Sequence, residues 1–252
     1  MINWERLQYM YERKAYRIVQ RHIKKILSEI PLNNVSLNTY KILIASNITE
    51  EKIKDMFVEL YTTIGGDYGK RVRKEIGKET KNILFSDSFL NDILLFLSTD
   101  GGVKIVSIQN SLINDVIKAI QEKLKEQESL LTLQNVIYEL ISKSYTFYKW
   151  QALRIARTET TSASNFASVR EASKATYYMT KEWVSVKDDR TRHDHKLENG
   201  QIVDFDQPFQ MADGSKLMYP GDVQAKPSQV INCRCTLGYK AKRDKDGMII
   251  FK

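Results

Sequence analysis

Cysteine and histidine side chains offer the most distinctive chemistry in this 252-residue sequence. Both cysteines, Cys233 and Cys235, lie in the segment NCRC, and two of the three histidines, His193 and His195, lie upstream in the segment RHDH. Thiolate and imidazole are common zinc ligands, and a structural zinc takes four ligands. The two cysteines and two histidines supply enough ligands for one zinc ion, although the spacing within the two pairs is not that of a standard zinc knuckle. A redox pair and two buried free thiols are the alternatives.

The segment INCRCTLGY, residues 231–239, alternates in a way that is typical of a β-strand. In such a strand Cys233 and Cys235 point to the same face, with their Cα atoms about 6.5 Å apart. That separation is near the upper limit for a disulfide, and closing the bond would bend the strand. We therefore expect two thiols rather than a disulfide.

A charged segment, KDDRTRHDH at residues 187–195, precedes the cysteines. If it is exposed, it is a solvated loop whose local ion pairs contribute little. If it is buried, its Arg and His side chains need carboxylate and carbonyl partners, which would pin the segment to the rest of the fold. The segment offers no clear nucleophile, because no supporting group is evident around Ser185. A metal-dependent nuclease could still be built from these residues.

The segment RIARTETTSASN, residues 154–165, combines charged and small residues. On a helix Arg157 and Glu159 are two residues apart and face different sides, so each would contact a different neighbour. The same helix presents a narrow face of small residues that would let another element approach closely. That face consists of Ala152, Ala156, Ala163 and Ala167. Surface charges on a helix are the alternative interpretation.

The elements that position these residues follow from the hydrophobic period. Up to Tyr178 apolar residues recur at spacings of three and four, which predicts helices. The predicted helices span residues 3–29, 36–46, 49–80, 86–98, 104–127 and 131–176, with breaks at EIPLNN, TIGGDYG and STDGG. Beyond Tyr178, turn signals at Asn199–Gly200 and Asp213–Gly214 separate short strands. The predicted strands lie in EWVSVKDD, ENGQIVDF, VINCRCTLGYK and GMIIF.

The sequence therefore predicts an α+β fold that is mostly α-helical, with a long helical body and a small, irregular, β-rich C-terminal module. We expect a helical N-terminal region at residues 1–130, serving as a docking arm, and a second domain at residues 131–252. In the second domain, helices at residues 131–178 precede the β-rich module at residues 179–252. We expect no membrane span, because no uncharged run reaches about 18 residues, and a reducing compartment, because two cysteines exclude a disulfide scaffold.

The formal net charge is +8, which favours association with nucleic acid or another acidic surface. Basic side chains concentrate in residues 1–25, where Trp4 and several tyrosines are interleaved with them. The candidates for contact with DNA or an acidic partner are Arg13, Lys14, Arg17, Arg21, Lys24 and Lys25. An amphipathic helix with a solvated basic face is the alternative.

Three segments in order, ARTET, then WVSVKDDRTRHDH…NGQIV, then PGD…INCRCTL, resemble the Mu F-like minor head proteins of tailed bacteriophages, the phage head morphogenesis family. The resemblance covers residues 131–240. It implies a minor virion protein inside the capsid near the portal, present in the host cytoplasm during assembly. The implied partners are the portal ring, packaged double-stranded DNA bound without sequence preference, and other capsid-interior or ejection proteins. The implied roles are head assembly and the packaging or delivery of the genome.

The resemblance also assigns residues to one interlocked structural module. Its members are Arg157, Glu159, Asp189, Arg190, Arg192, His195, Cys233, Arg234 and Cys235. His193 has no counterpart in the family, which leaves His195, Cys233 and Cys235 as the better zinc ligands. We expect no catalytic residue, and no cofactor or a structural zinc.

The first hypothesis is a non-enzymatic virion protein that contacts DNA, and two further hypotheses compete with it. One is a virion-carried enzyme, either a metal-dependent nuclease or an ADP-ribosyltransferase-like protein using Glu159, Arg157, His195 or the cysteines. The other is an adaptor that binds the portal and no DNA.

Overall fold

The computed structural model describes residues 3–31, 36, 38–77, 89–125 and 145–252. This part of the chain is mostly helical and carries a small antiparallel sheet toward its C-terminal end, which confirms the predicted α+β class. The longer helices are α1 (Trp4–Ser28), α2 (Tyr40–Asn47), α3 (Glu50–Leu60), α4 (Gly66–Ile76), α5 (Phe89–Ser98), α6 (Gly102–Lys125) and α7 (Tyr145–Ser173). The predicted helical stretch at residues 131–144, and the domain boundary at residue 130, lie outside the described residues.

Helix α1 begins at a capping residue and is strongly amphipathic. The Asn3 side chain accepts a hydrogen bond from the backbone N–H of Arg6 at 3.1 Å, which satisfies one of the free donors at the helix N terminus. One side of the helix packs on α7 and α3. The buried residues of that side are Trp4, Gln8, Tyr11, Ala15, Ile18, Val19, Ile23, Ile26 and Leu27. The predicted span of residues 3–29 is therefore correct to within one residue at each end.

The predicted break at TIGGDYG is wrong, because the chain stays helical there. Helix α3 continues through a π-helical turn, Tyr61–Gly65, into α4. The glycines serve helix packing instead: a Cβ on Gly65 would lie 2.9 Å from the carbonyl oxygen of Ala163, and one on Gly69 would lie 3.4 Å from Cβ of Ala167. Helix α7 thus approaches α4 closely along its small-residue face, as predicted.

Three strands form an antiparallel sheet in the order β2–β1–β5. The central strand β1 (Met179–Val184) pairs with β2 (Ile202–Asp204) on one side and with β5 (Thr236–Ala241) on the other. Trp183 lies opposite Leu237, so the two side chains share one face of the sheet. A separate hairpin pairs β3 (Phe209–Gln210) with β4 (Lys216–Leu217), and two short helices, α8 (His193–Leu197) and α9 (Pro227–Val230), connect the strands.

The C-terminal module, residues 179–252, has a small core of its own next to the larger core of the helices. Its buried side chains are Trp183, Phe209, Met211, Leu217, Cys233, Cys235 and Leu237. Gly200 and Gly214 have φ values of +88° and +80°, which confirms the two predicted turns.

Two predicted strands differ from the structure. Residues 231–235 are not in a strand: α9 ends at Val230, Asn232 takes the left-handed conformation with a φ of +56°, and β5 begins only at Thr236. Pro227 at the start of α9 favours a helical turn, and the left-handed Asn232 then redirects the chain. GMIIF makes only isolated bridges, such as Arg243 with Ile249.

No described helix has the length and apolar character needed to cross a membrane.

Candidate functional site: a buried cysteine–histidine cluster

Three side chains that are distant in sequence meet beneath the central strand of the C-terminal module. Helix α8 contributes His195, and the segment between α9 and β5 contributes Cys233 and Cys235. Their exposed fractions are 1%, 1% and 2%. The ligand atoms of all three lie within 4.8 Å of one another, and among the described residues this is the group of cysteine, histidine and acidic side chains that could hold a metal ion. The ring of Trp183 meets the imidazole edge-on at a centroid distance of 5.3 Å.

A chain of hydrogen bonds fixes the orientation of the imidazole. The Gln229 amide donates from Nε2 to Oδ2 of Asp194 at 2.6 Å, so its Oε1 is the acceptor end. Nε2 of His195 lies 2.7 Å from that Oε1 and therefore carries the proton. In its neutral form the ring would present the lone pair of Nδ1 to the sulfurs of Cys235 at 3.4 Å and Cys233 at 3.6 Å. This tautomer is the one that can bind a metal through Nδ1.

The two thiols are electrostatically unequal. The hydrogen bond from Cys233 and the neighbouring His195 hold the pKa of Cys235 well below its ordinary value. The same hydrogen bond, together with burial, raises the pKa of Cys233. Burial by itself lowers the pKa of His195, but the hydrogen bond and negative charge at Cys235 outweigh it, so the pKa of His195 is raised. The cluster therefore concentrates negative charge on Cys235.

The backbone of the CRC segment is held by side chains from the helices. Trp4 Nε1 donates to the carbonyl oxygen of Arg234 at 2.7 Å, and Asn165 Nδ2 donates to that of Cys235 at 3.1 Å. Thr161 donates its hydroxyl hydrogen to the carbonyl oxygen of Cys233. All three carbonyls of the segment are thus paired with α1 or α7, which aims both sulfurs at His195 although the segment is not a strand.

The charged segment contributes a different carboxylate from the one expected. Arg234 makes a two-pronged ion pair with Asp188, and this guanidinium holds the pKa of Asp188 well below its ordinary range. Asp189 and Arg190 are exposed, and Arg190 contacts Asp188. Of the two neighbouring carboxylates, Asp188 makes the contact with the CRC segment, whereas the sequence assigned Asp189 to the interlocked module. Arg192 donates to the carbonyl oxygen of Ile231.

Arg157 and Glu159 face different sides of α7, as predicted. Arg157 is partly exposed, with its Nε 3.7 Å from a carboxylate oxygen of Glu12. Glu159 is only 2% exposed; it accepts a hydrogen bond from the Tyr61 hydroxyl at 3.1 Å and pairs with Lys104 at 3.4 Å. Glu159 thus binds the helices rather than the C-terminal module.

Comparison with known proteins identifies the family of this chain. The model for the family described as "Phage Mu protein F like protein" matches residues 110–238, half of the chain. The chain belongs to this family. The match begins inside α6 and ends inside β5, so the Mu F-like region includes α7, the CRC segment and all but the last part of the C-terminal module.

Two curated relatives share part of this chain. One is the NAD(+)–arginine ADP-ribosyltransferase EFV of Enterococcus faecalis, 30% identical over 140 residues, which are 53% of this chain and 27% of the relative. The other is the minor head protein GP7 of Bacillus phage SPP1, 30% identical over 131 residues, which are 51% of this chain and 41% of the relative. In both cases the match covers well under two thirds of the relative's length. No solved structure gives a significant match.

Other candidates lie away from the cluster in this Mu F-like protein. His193, offered by the sequence as a fourth zinc ligand, is exposed at the start of α8 and is not one of the three residues that converge. A helix places residues two apart on different sides, so the side chains of His193 and His195 point in different directions.

The six basic candidates of α1 are all exposed: Arg13, Lys14, Arg17, Arg21, Lys24 and Lys25. Arg21 pairs with Glu59, and Arg13 lies 5.8 Å from the ring centre of Tyr9.

Several residues of the cluster were not found from the sequence. Gln229, Asn165 and Trp4 are neutral side chains whose partners lie far away in the chain, so spacing gives no signal for them. A weak signal exists for Asn165 and Thr161, because buried polar residues among alanines on a helix need partners from a packed neighbour.

Proposed function

We propose that this protein is a minor structural protein of a tailed-bacteriophage head, acting in head assembly. The family match over α7 and the C-terminal module carries the proposal. Similarity to the minor head protein GP7 of phage SPP1 supports it. Within the virion we place the protein in the capsid interior near the portal, after a period in the host cytoplasm during assembly.

We infer that the helical body, α1 to α7, docks on the portal ring, with other capsid-interior or ejection proteins as further neighbours. Trp150, near the start of α7, is 72% exposed. Tryptophan is enriched at protein interfaces, because one side chain supplies a large apolar contact area. This residue is therefore our choice for testing the contact.

We further infer that the exposed basic face of α1 contacts packaged DNA without reading its sequence. Each of its six cations lies within two helical turns of another cation, and lysine and arginine on one helical face can follow a phosphate backbone. Such contact would partly neutralise the DNA during packaging or delivery.

We infer that the protein is not an enzyme. A catalytic group must touch its substrate, whereas Glu159, His195, Cys233 and Cys235 are all nearly inaccessible. Glu159 is also engaged by Tyr61 and Lys104. The partial similarity to an ADP-ribosyltransferase favours the alternative of a virion-carried enzyme. Transfer of ADP-ribose to arginine, lost in Glu159→Gln, would establish that alternative.

The portal contact is tested by co-expressing the chain with the portal protein of the same phage and purifying the portal after nuclease treatment. We expect the chain to copurify, and Trp150→Ala to weaken this more than substitution of the exposed Tyr178 by Ala. Absence of the chain both from the purified portal and from purified heads would contradict the proposal.

The DNA contact is tested by gel shifts at increasing salt with a triple variant, Arg13→Gln, Arg17→Gln and Lys24→Gln. Each lost phosphate contact should reduce the slope of log K against log salt by roughly 1. The matched control removes three exposed charges elsewhere: Lys41→Gln, Lys216→Gln and Lys245→Gln. No DNA binding by the native protein at low salt would leave the portal-binding adaptor as the function.

A further inference from the structure

We propose that Nδ1 of His195 and the thiolates of Cys233 and Cys235 bind one zinc ion that closes the C-terminal module. This inference concerns the integrity of the module and is independent of the role in the phage head. It rests on the distances between the ligand atoms, on the hydrogen bonds behind them, and on the charge of the resulting site.

The two nitrogen–sulfur distances match those of a zinc site. With tetrahedral angles, zinc–sulfur bonds of about 2.3 Å and zinc–nitrogen bonds of about 2.0 Å place a nitrogen and a sulfur ligand about 3.5 Å apart. Nδ1 lies 3.4 Å from Sγ of Cys235 and 3.6 Å from Sγ of Cys233. One imidazole lone pair accepts one thiol proton, so a hydrogen bond explains one of these contacts. A shared cation explains both.

The surrounding hydrogen bonds are those that a metal-binding histidine requires. Gln229, oriented by Asp194, accepts the Nε2 proton of His195 and leaves Nδ1 free. Such outer partners fix the tautomer and the ring orientation of a ligand. The carbonyls of Cys233 and Cys235 are held by Thr161 and Asn165, so the sulfurs are positioned by contacts that do not involve the metal.

The chemistry of the ligand set selects zinc over harder cations. Two thiolates and an imidazole suit Zn²⁺, whereas Mg²⁺ and Ca²⁺ prefer oxygen ligands. Binding releases to solvent the protons that the two sulfurs and Nδ1 of His195 share, and one dication with two thiolates is neutral overall, which favours burial. Three protein ligands leave one position of a tetrahedral zinc site, which a water molecule would fill.

The proposal is tested by the metal content of the protein purified under reducing conditions, supplied with equimolar zinc and dialysed. We expect about one zinc per chain, measured by mass spectrometry of the elements. Cys233→Ser, Cys235→Ser and His195→Asn should each lose most of the metal. His193→Ala is the matched control and should retain it.

A second measurement keeps the test valid if a ligand variant fails to fold. Cobalt added to the native chain should produce the near-ultraviolet absorption of thiolate-to-cobalt charge transfer, and a chelator should lower the thermal midpoint of the native chain but not that of a folded His195→Asn variant. Less than about 0.1 zinc per native chain after loading, with no charge-transfer absorption, would overturn the proposal.

Discussion

The helical body and the C-terminal module are stabilised in different ways. The body buries a continuous apolar core in which Phe57, Leu60 and Ile64 are fully inaccessible. The module has a much smaller apolar core, and buried hydrogen bonds tie its CRC segment to the helices. Apolar burial is non-directional and tolerates adjustment, whereas a buried hydrogen bond is lost outright when one partner is removed. The fold of the module therefore depends more on individual residues than that of the body.

The largest effects are expected from truncating one fully buried aromatic side chain in each core. Phe57→Ala and Trp183→Ala should each lower the free energy of unfolding by about 3–5 kcal/mol, because each leaves a cavity. Only Trp183→Ala should expose the thiols, since Trp183 packs on His195. Chemical denaturation and the rate of thiol labelling under native conditions measure the two effects. Equal labelling rates in the two variants would show that Trp183 does not shield the thiols more than Phe57 does.

Asn165→Ala should have the next largest effect. Its amide donates to the carbonyls of Thr161, Pro220 and Cys235, and each buried acceptor left unpaired costs about 1–3 kcal/mol. We expect a loss of roughly 2–3 kcal/mol by chemical denaturation.

The neighbouring residue Ser164 offers a matched control for Asn165. It is also fully buried, but its hydroxyl has no hydrogen-bond partner in the part of the chain that the structure describes. Ser164→Ala should be neutral or slightly stabilising, because it removes an unpaired polar group. A loss equal to that of Asn165→Ala would mean that the polar network is not what holds the module.

In the body, two adjacent glycines should respond in opposite directions. A Cβ at Gly65 would lie 2.9 Å from the backbone oxygen of Ala163, so Gly65→Ala should cost about 1–3 kcal/mol through overpacking. A Cβ at Gly66 would meet its nearest atom at 3.7 Å, so Gly66→Ala should stabilise the helix by about 0.5–1 kcal/mol. Thermal denaturation of both variants measures the difference. A neutral Gly65→Ala would show that the contact between the π-helical turn and α7 is loose.

The smallest effect is expected at the rim of the module. Arg234 lowers the pKa of Asp188, so the carboxylate contributes stability above its ordinary pKa of 3.8, and this contribution is lost as the pH falls below that value. Asp188→Asn should cost about 1 kcal/mol at pH 7, since the pair is partly exposed. The difference from the native chain should be smaller at acid pH than at pH 7: it shrinks as the pH falls below 3.8 and vanishes only when the pH has fallen through the lowered pKa of Asp188.

Asp189→Asn is the control for this titration, because Asp189 is exposed and does not reach Arg234. It should change the free energy of unfolding by less than about 0.5 kcal/mol at either pH. A larger effect at Asp189 than at Asp188 would reverse the assignment of the carboxylate.

The body was more predictable from the sequence than the module. The bounds of α1 follow from its apolar period and from Asn3, because both act within a few residues. Gly65 and Gly66 were misread because glycine both ends helices and permits close packing, and only the position of α7 distinguishes these uses. In the module, residue types alone suggested that His195 and the cysteines meet, yet the strand predicted for residues 231–235 was wrong. The conformation of the CRC segment within these residues is set by contacts with Trp4 and Asn165, which lie far away in the chain.

Hydrogen exchange of individual amides in the native chain and in Asn165→Ala tests most directly whether side chains of α7 hold the module together. We predict that protection is lost in α8 and in residues 231–241, while α1 and α3 keep theirs, because the module opens as a separate unit. Unchanged protection in residues 231–241, or an equal loss throughout the described helices, would contradict this account.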